Sequence, residues 1–453
     1  MMVIDMDNKK NINEYIEFNK KKINNKYRLK YHMMPSVGWM NDPNGLVKFN
    51  DTFHLFYQFN PYNTQPGTML WGHCTSGDLI KYNDEPIGIV PDKEHTSIFS
   101  GGAIIVDNEI NAVYTEHYEY EGIKTEEVYL TKINSYSENK IRIFDNNKLP
   151  KNICKSDFRD PFPIFVDGEY YVFIGGKDIE LNKGIIVVLK GKSLEELDYH
   201  FTIGPLYALG DMGECPSYYK INNKDVLVAS GCRVGNIDND YKNTNSSVFI
   251  VGDIDFKEGK MSIDFVKEID KGDTFYAPQF INGFEEPVII GWLEMWDKKY
   301  PTHDLGHGWT GAFSMPRKII LKDQDIFQEP IEQLKQYQKE YVDEYSKCLD
   351  ISLVMLSDGE FEIKSDNGSV KIYNNGYINL DTRNANNFNG CVRRTNNKYY
   401  RCKVRILLDV SSIELFIDNG KEVISSRIYL DGKYIINYNS NVIEMNIKEL
   451  EVK

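Results

Sequence analysis

Three acidic residues stand in short, turn-like contexts along the chain: Asp42 in GWMNDPNGL, Asp160 in FRDPF and Glu214 in GECPS. Each has a proline within two positions, and Asn44-Gly45 beside the first is turn chemistry, so an aspartate bonding its own backbone is one reading of Asp42. The other reading is catalytic. Two carboxyl groups in different protonation states can cleave a glycosidic bond, one ionised to attack the sugar carbon and one protonated to donate to the leaving oxygen. A third can hold sugar hydroxyls, whose bonds count most as the ring flattens in the transition state. Trp39, Trp71 and Trp309 offer flat apolar faces, and Asn41 and Gln58 offer amides for hydroxyls. A calcium site is the alternative use for three acids, although no dense acidic loop accompanies them. Arg159, next to Asp160, is a candidate partner for one of the carboxylates.

Acids so far apart in sequence need a scaffold that brings them together, and the chain carries a repeat that would do so. Apolar runs centred on Leu55, Val113, Val172, Leu227 and Ile289 lie 58, 59, 55 and 62 positions apart. Each has a second short strand just upstream, joined by a turn such as NDT, DNE or DGE, so each unit contains a hairpin. Units of this length and number predict a five-bladed β-propeller; a β-sandwich or β-helix fits the even spacing less well. In a propeller the first strand of every blade lines the central channel. Asp42, Asp160 and Glu214 stand 13, 12 and 13 residues before their strand centres, which predicts equivalent positions at one channel mouth. Ser100 of FSGGA and Tyr276 of FYAPQ take the matching places in units two and five. The prolines are expected to hold the residues before them extended.

WMNDPNG, FRDP and GECP, in that order, resemble the signature blocks of glycoside hydrolase family 32, the β-fructofuranosidases. HLFYQFNP, WGHCTSGDL, PIGIVPD, FSGGA, FYAPQ and GWTGAFSMPR support the resemblance, and residues 409–430 resemble the family's C-terminal module. The resemblance implies an all-β fold, a five-bladed β-propeller followed by a C-terminal β-sandwich. It implies Asp42 as nucleophile, Glu214 as general acid/base and Asp160 as transition-state stabiliser, with the two reacting carboxyl groups roughly 5 to 5.5 Å apart in a retaining mechanism. Asn41, Gln58, Trp71, Ser100 and Arg159 match positions that line the fructose pocket, and Phe99, Tyr276 and Trp309 complete the candidate substrate-binding set. The chain departs from the usual pattern at Gly213, Ser217 and Tyr82, and residues 114–130 are unusually acidic and match weakly. These departures bear on the choice of substrate more than on reaction type.

The domain reading is an N-terminal extension over 1–30, the propeller over 31–322, a linker with a helix over 323–347 and the sandwich over 348–453. After MPRKIIL, EPIEQLKQYQKEYVDEYSK reads as helical, and the remainder alternates apolar and polar residues as sandwich strands do. A net charge of -14 argues against nucleic acid or an anionic membrane as partner. Seven cysteines with no CxxC pair, and no signal peptide or apolar span, point to a cytoplasmic protein, a monomer or homodimer, with no cofactor and no metal. His303 and His307 of HDLGH read as a surface loop, and Cys215 as a packing residue. The expected partner is a small-molecule fructoside: sucrose, sucrose 6-phosphate or a short fructo-oligosaccharide. A fructosyltransferase and a silent sugar-binding propeller are the competing readings.

Overall fold

A computed structural model describes residues 9–133, 139–343, 346–385 and 389–452. Positions 1–8 of the expected extension and 344–345 of the expected linker lie outside the described residues. Strands from Gly38 to Pro330 form a five-bladed β-propeller, and a β-sandwich of a six-stranded and a five-stranded sheet follows it. The repeat seen in sequence corresponds to the two innermost strands of each blade. The outer strands, such as Lys183–Ser193 and Glu196–Ile203 of blade three, complete four-stranded antiparallel sheets. Between neighbouring blades, valine, isoleucine and phenylalanine from facing sheets form separate apolar layers. The ring closes where Trp309–Thr310 runs parallel to Gly38–Trp39 at the inner edge of blade one.

The innermost strands, Gly38–Phe49, Thr96–Val106, Ile153–Val166, Met212–Ile221 and Tyr276–Phe280, share one irregularity. In each, the ladder to the second strand slips where the motif residues lie: between Met40 and Pro43, Phe99 and Gly101, Arg159 and Phe162, Glu214 and Ser217, and Tyr276 and Gln279. Proline is tolerated inside a sheet at such bulges because the displaced residue has no ladder bond to donate. The expectation of extended residues before these prolines fails in three blades. Asp160, Cys215 and Ala277 have φ of 64°, 47° and 49°, in the left-handed region. The bulge outweighs the local preference of the X-Pro pair and re-aims the side chain.

The boundary expected at 322 is also corrected. Asp325–Pro330 pairs with Arg317–Lys322 as the outermost strand of blade five. Among the described residues of 329–347 the only helix is a 3-10 helix over Glu332–Tyr337, and Gln338–Glu340 joins the sandwich sheet against Leu450. The helix-forming residues EQLKQY are anchored by buried Leu334 and by Gln336 and Tyr337, which donate to Asp78, and the chain is then drawn into the sheet. The residues before the propeller are built in. A helix, Lys9–Asn19, buries Ile12 against blade one. Beyond it, the Lys30 and Tyr31 amides donate to Asp409 of the sandwich, and Ser411 Oγ donates to the Tyr27 carbonyl. The segment straps the two domains together.

Candidate active site

The bulges arrange the candidate residues in two tiers. Ladder register makes Arg159, Glu214 and Tyr276 counterparts, each the last paired residue before the slip, and Asp160, Cys215 and Ala277 counterparts one position later. The sequence alignment of Asp160 with Glu214 is therefore off by one residue. In the first tier, Arg159 Nη2 donates to Glu214 Oε1 at 2.5 Å and Nε to the same oxygen at 3.2 Å, while the Tyr276 hydroxyl donates to Oε2 at 2.5 Å. In the second, the Cys215 amide donates to Asp160 Oδ2 at 3.0 Å. Its thiol lies 3.5 Å from that oxygen and 3.7 Å from Asp42 Oδ2, so the two aspartates share one small volume. The Ser100 hydroxyl donates to Asp42 Oδ2 at 2.9 Å. Asp42 Oδ1 is buried and meets no hydrogen-bond donor.

This crowding is reflected in proton affinity. Burial, with the Glu214 charge nearby, pushes the Asp42 carboxyl up to about 6. Burial pushes Asp160 up to about 7, the charges of Glu214 and Asp42 adding to it and Arg159 opposing it. Burial acts on Glu214 too, but there the Arg159 guanidinium and Tyr276 hydroxyl prevail and hold the carboxyl below its usual range. The channel thus raises the proton affinity of its two aspartates and lowers that of Glu214. Among the described residues, no group of three or more His, Cys, Asp and Glu side chains could hold a metal ion.

The remaining candidates divide. Asn41 adjoins Asp42 and accepts from Trp39 Nε1 at 2.7 Å. Phe99 stacks on His117, with ring centroids 4.1 Å apart. Gln58 and Trp71 sit behind the pocket wall: Gln58 donates to the Ile98 carbonyl and Trp71 to the Phe99 carbonyl, and the Trp71 ring packs against Phe56 and Tyr114. Both hold the strand that carries Ser100. Trp309 does not reach the site. Its ring is fully buried beside Tyr27 and Tyr429, and its Nε1 donates to the Asn24 carbonyl, because the ring-closing strand turns it toward the strap. Trp39 is also fully buried, packing edge-on against Trp292 and Tyr300. Trp296, 38% exposed and stacked over Trp39, offers an accessible aromatic face, and Phe99 is half-buried.

Trp296, and Glu126, which grips Nη1 of Arg159, escaped sequence reasoning; the acidic run at 114–130 was the only signal for Glu126. HDLGH is a surface segment only in part, since Asp304, Leu305 and Gly306 are exposed but its two histidines are not. Pro301–Asp304 forms a short helix, and His307 is buried and stacked on Tyr27. The departures at 213, 217 and 82 have structural causes. A Cβ on Gly213 would lie 2.5 Å from the Ile185 carbonyl oxygen, where blades three and four meet backbone to backbone. Ser217 Oγ accepts from the Phe280 amide of blade five, and the Tyr82 hydroxyl donates to the Leu79 carbonyl, outside the site.

Comparison with known proteins bears on this arrangement. The family model described as Glycosyl hydrolases family 32 N-terminal domain matches residues 32–330, and that of the family 32 C terminal matches 357–453. A sucrose-6-phosphate hydrolase of Vibrio alginolyticus is 29% identical over 428 residues, covering 88% of this chain and 86% of the relative. The solved GH32 β-fructofuranosidase of Bombyx mori is 28% identical with a TM-score of 0.86, covering 98% of both chains. A mutant of that enzyme was solved in complex with sucrose. A sucrose-6-phosphate hydrolase structure from Lactobacillus gasseri superposes with a TM-score of 0.87 at 22% identity, over 97% of this chain and 96% of that one, a likeness of fold. No described helix is long and apolar enough to cross a membrane.

Proposed function

This chain belongs to glycoside hydrolase family 32, and from that membership and the two-tier channel we propose that it releases fructose from sucrose-type β-fructofuranosides with retention of configuration. Asp42 attacks the anomeric carbon while Glu214 gives its proton to the glycosidic oxygen, so the leaving sugar departs neutral and a fructosyl ester forms on Asp42. Glu214 then takes a proton from water, which attacks the same carbon and frees Asp42. Asp160 accepts sugar hydroxyls. The observation that carries the assignment is the convergence of the acids at one channel mouth, where the Cys215 thiol lies 3.7 Å from Asp42 and 3.5 Å from Asp160 while Glu214, the residue before it, faces Arg159.

The resting proton distribution suits binding rather than chemistry, and substrate corrects it. Hydroxyls donating to Asp42 and Asp160 favour their ionised forms, which sends a proton to Glu214. Trp296 offers the sugar an apolar face at the rim. The test is fructose release from sucrose, sucrose 6-phosphate and a β-linked fructose disaccharide, side by side, by wild type and Glu214→Gln. Release by wild type and a loss of at least about a hundredfold in the variant are expected. Release from none of the three, or an undiminished variant, contradicts the reading. The preferred substrate identifies the leaving group.

A further inference from the structure

The Arg159 guanidinium hydrogen-bonds two carboxylates, and a third, that of Asp157, lies 3.7 Å away. One of the bonded pair is Glu214. The other is Glu126, on the third strand of blade two, Ile123–Lys132, and fully buried. Arg159 Nη1 donates to both Glu126 oxygens at 3.2 Å. Glu126 Oε2 also accepts the Phe158 amide at 2.8 Å, His117 Nδ1 lies 3.2 Å from Oε1, and Lys124 Nζ is 3.2 Å from the same oxygen. Lys124 is itself tied to Asp157 at 2.7 Å, and His117 Nε2 is 3.4 Å from Glu119. So dense a set of donors around one buried side chain exceeds what packing of a blade requires, and it converges on the cation that touches the candidate acid. Although burial opposes its charge, Arg159, His117 and Lys124 hold the Glu126 carboxyl down to about 2, so it is ionised throughout the working range.

Resting on the proposed role of Glu214 as proton donor, we propose that Glu126 is a positioning residue that shares the Arg159 charge with Glu214, and so lets Glu214 hold the proton it must give away. A guanidinium facing Glu214 alone would keep that carboxyl ionised and useless as an acid; a second anion bonded to Nη1 dilutes the pull while leaving the geometry intact. The other titratable and charged groups around Glu214 and Arg159 are Tyr276, Cys232 and Arg233, then Asp160, Asp42 and Cys215, and Asp157. Asp157 Oδ1 lies 3.7 Å from the same Arg159 nitrogen but is partly exposed and held by Lys124 at 2.7 Å, so Glu126 is the hydrogen-bonded and fully buried counter-anion. The acidic segment that matched the family weakly thereby acquires a task.

The experiment is the pH profile of kcat/KM for sucrose in the full chain, for wild type, Glu126→Gln and Glu126→Asp. With Glu126→Gln the falling alkaline limb, where Glu214 loses its proton, moves down by roughly one pH unit. Glu126→Asp, which keeps the charge, leaves the limb within a few tenths of the wild-type position. On β-fructofuranosyl fluoride, whose fluoride departs without needing a proton, Glu126→Gln stays within about threefold of wild type, which also shows that the variant folds. An equal loss on both substrates with an unmoved limb, or a limb that moves up, overturns the proposal. If wild type cleaves sucrose and Glu214→Gln does not, but the Glu126→Gln limb stays in place, the inference alone fails. If wild type cleaves neither substrate, the reading beneath it fails as well.

Discussion

Two of the buried clusters of charge in this molecule behave in opposite ways. At the seam between propeller and sandwich, His32 lies 2.8 Å from Asp409 and 2.9 Å from Glu414, while Arg317 reaches Glu414 at 2.6 Å and Asp270 at 2.9 Å. Backbone amides of Lys30, Met315, Gly272 and Ser425 supply further donors, so every carboxylate oxygen there is met. Burial is overcome: Arg317 and His32 hold Glu414 down to about 2, and the two carboxylates lift His32 to about 9. In the channel, Asp42 and Asp160 are pushed up to about 6 and 7, and one oxygen of Asp42 has no donor. Burial of charge is common to both clusters, so it does not mark the chemistry. Uncompensated burial is not the mark alone either, since Glu268 and Glu294 also rise to about 7 and both Asp273 oxygens lack a donor; in the channel it coincides with three carboxylates meeting at one mouth, where protons are poised near neutral pH.

The contrast breaks most visibly at Asp42. Asp42→Asn lowers kcat on sucrose by at least about a thousandfold. The same change raises stability at pH 8. The native carboxyl ionises only above about 6 in the fold but near 3.8 when unfolded, so its charge opposes folding at high pH. Removing it gains on the order of 2 kcal/mol, read as a higher midpoint in urea. A seam substitution does the reverse. Arg317→Met strands two ionised carboxylates and costs about 3 to 5 kcal/mol, while kcat/KM per folded molecule changes little.

A finer test separates the clusters by pH. Because Asp42 must be ionised to attack, kcat/KM is lost as pH falls through about 6. The seam histidine works in the other direction. Its folded pKa of about 9 exceeds the ordinary 6.5, so its stabilisation is complete below 6.5 and disappears as pH rises through 9. Unfolding free energy therefore declines between those limits, and His32→Gln flattens that decline without moving the acid limb of activity.

Much of this site was legible in sequence because it is built from repetition. The 58-residue period placed five inner strands, and the acid-proline motifs marked where three of them meet the channel mouth. What stayed hidden depended on register. A bulge of one residue makes Glu214 the counterpart of Arg159 rather than of Asp160, and no periodicity count resolves a single position. Trp309 lies in a motif block, yet ring closure turns it away from the sugar side, a consequence of how the last blade meets the first. Glu126 was invisible because its role is defined by Arg159, which approaches it from another strand. EQLKQY carries helix-forming residues, but the strand pairing that follows it limits them to a short 3-10 helix.

The most direct measurement is the mass of the peptide containing Asp42 after Glu214→Gln is mixed with β-fructofuranosyl fluoride and quenched in acid. That variant can form the ester without a proton donor but lacks the base that activates water, so the intermediate accumulates. The account predicts one fructosyl residue attached at Asp42. An adduct on another carboxylate, or turnover with no covalent adduct at any time, would contradict it.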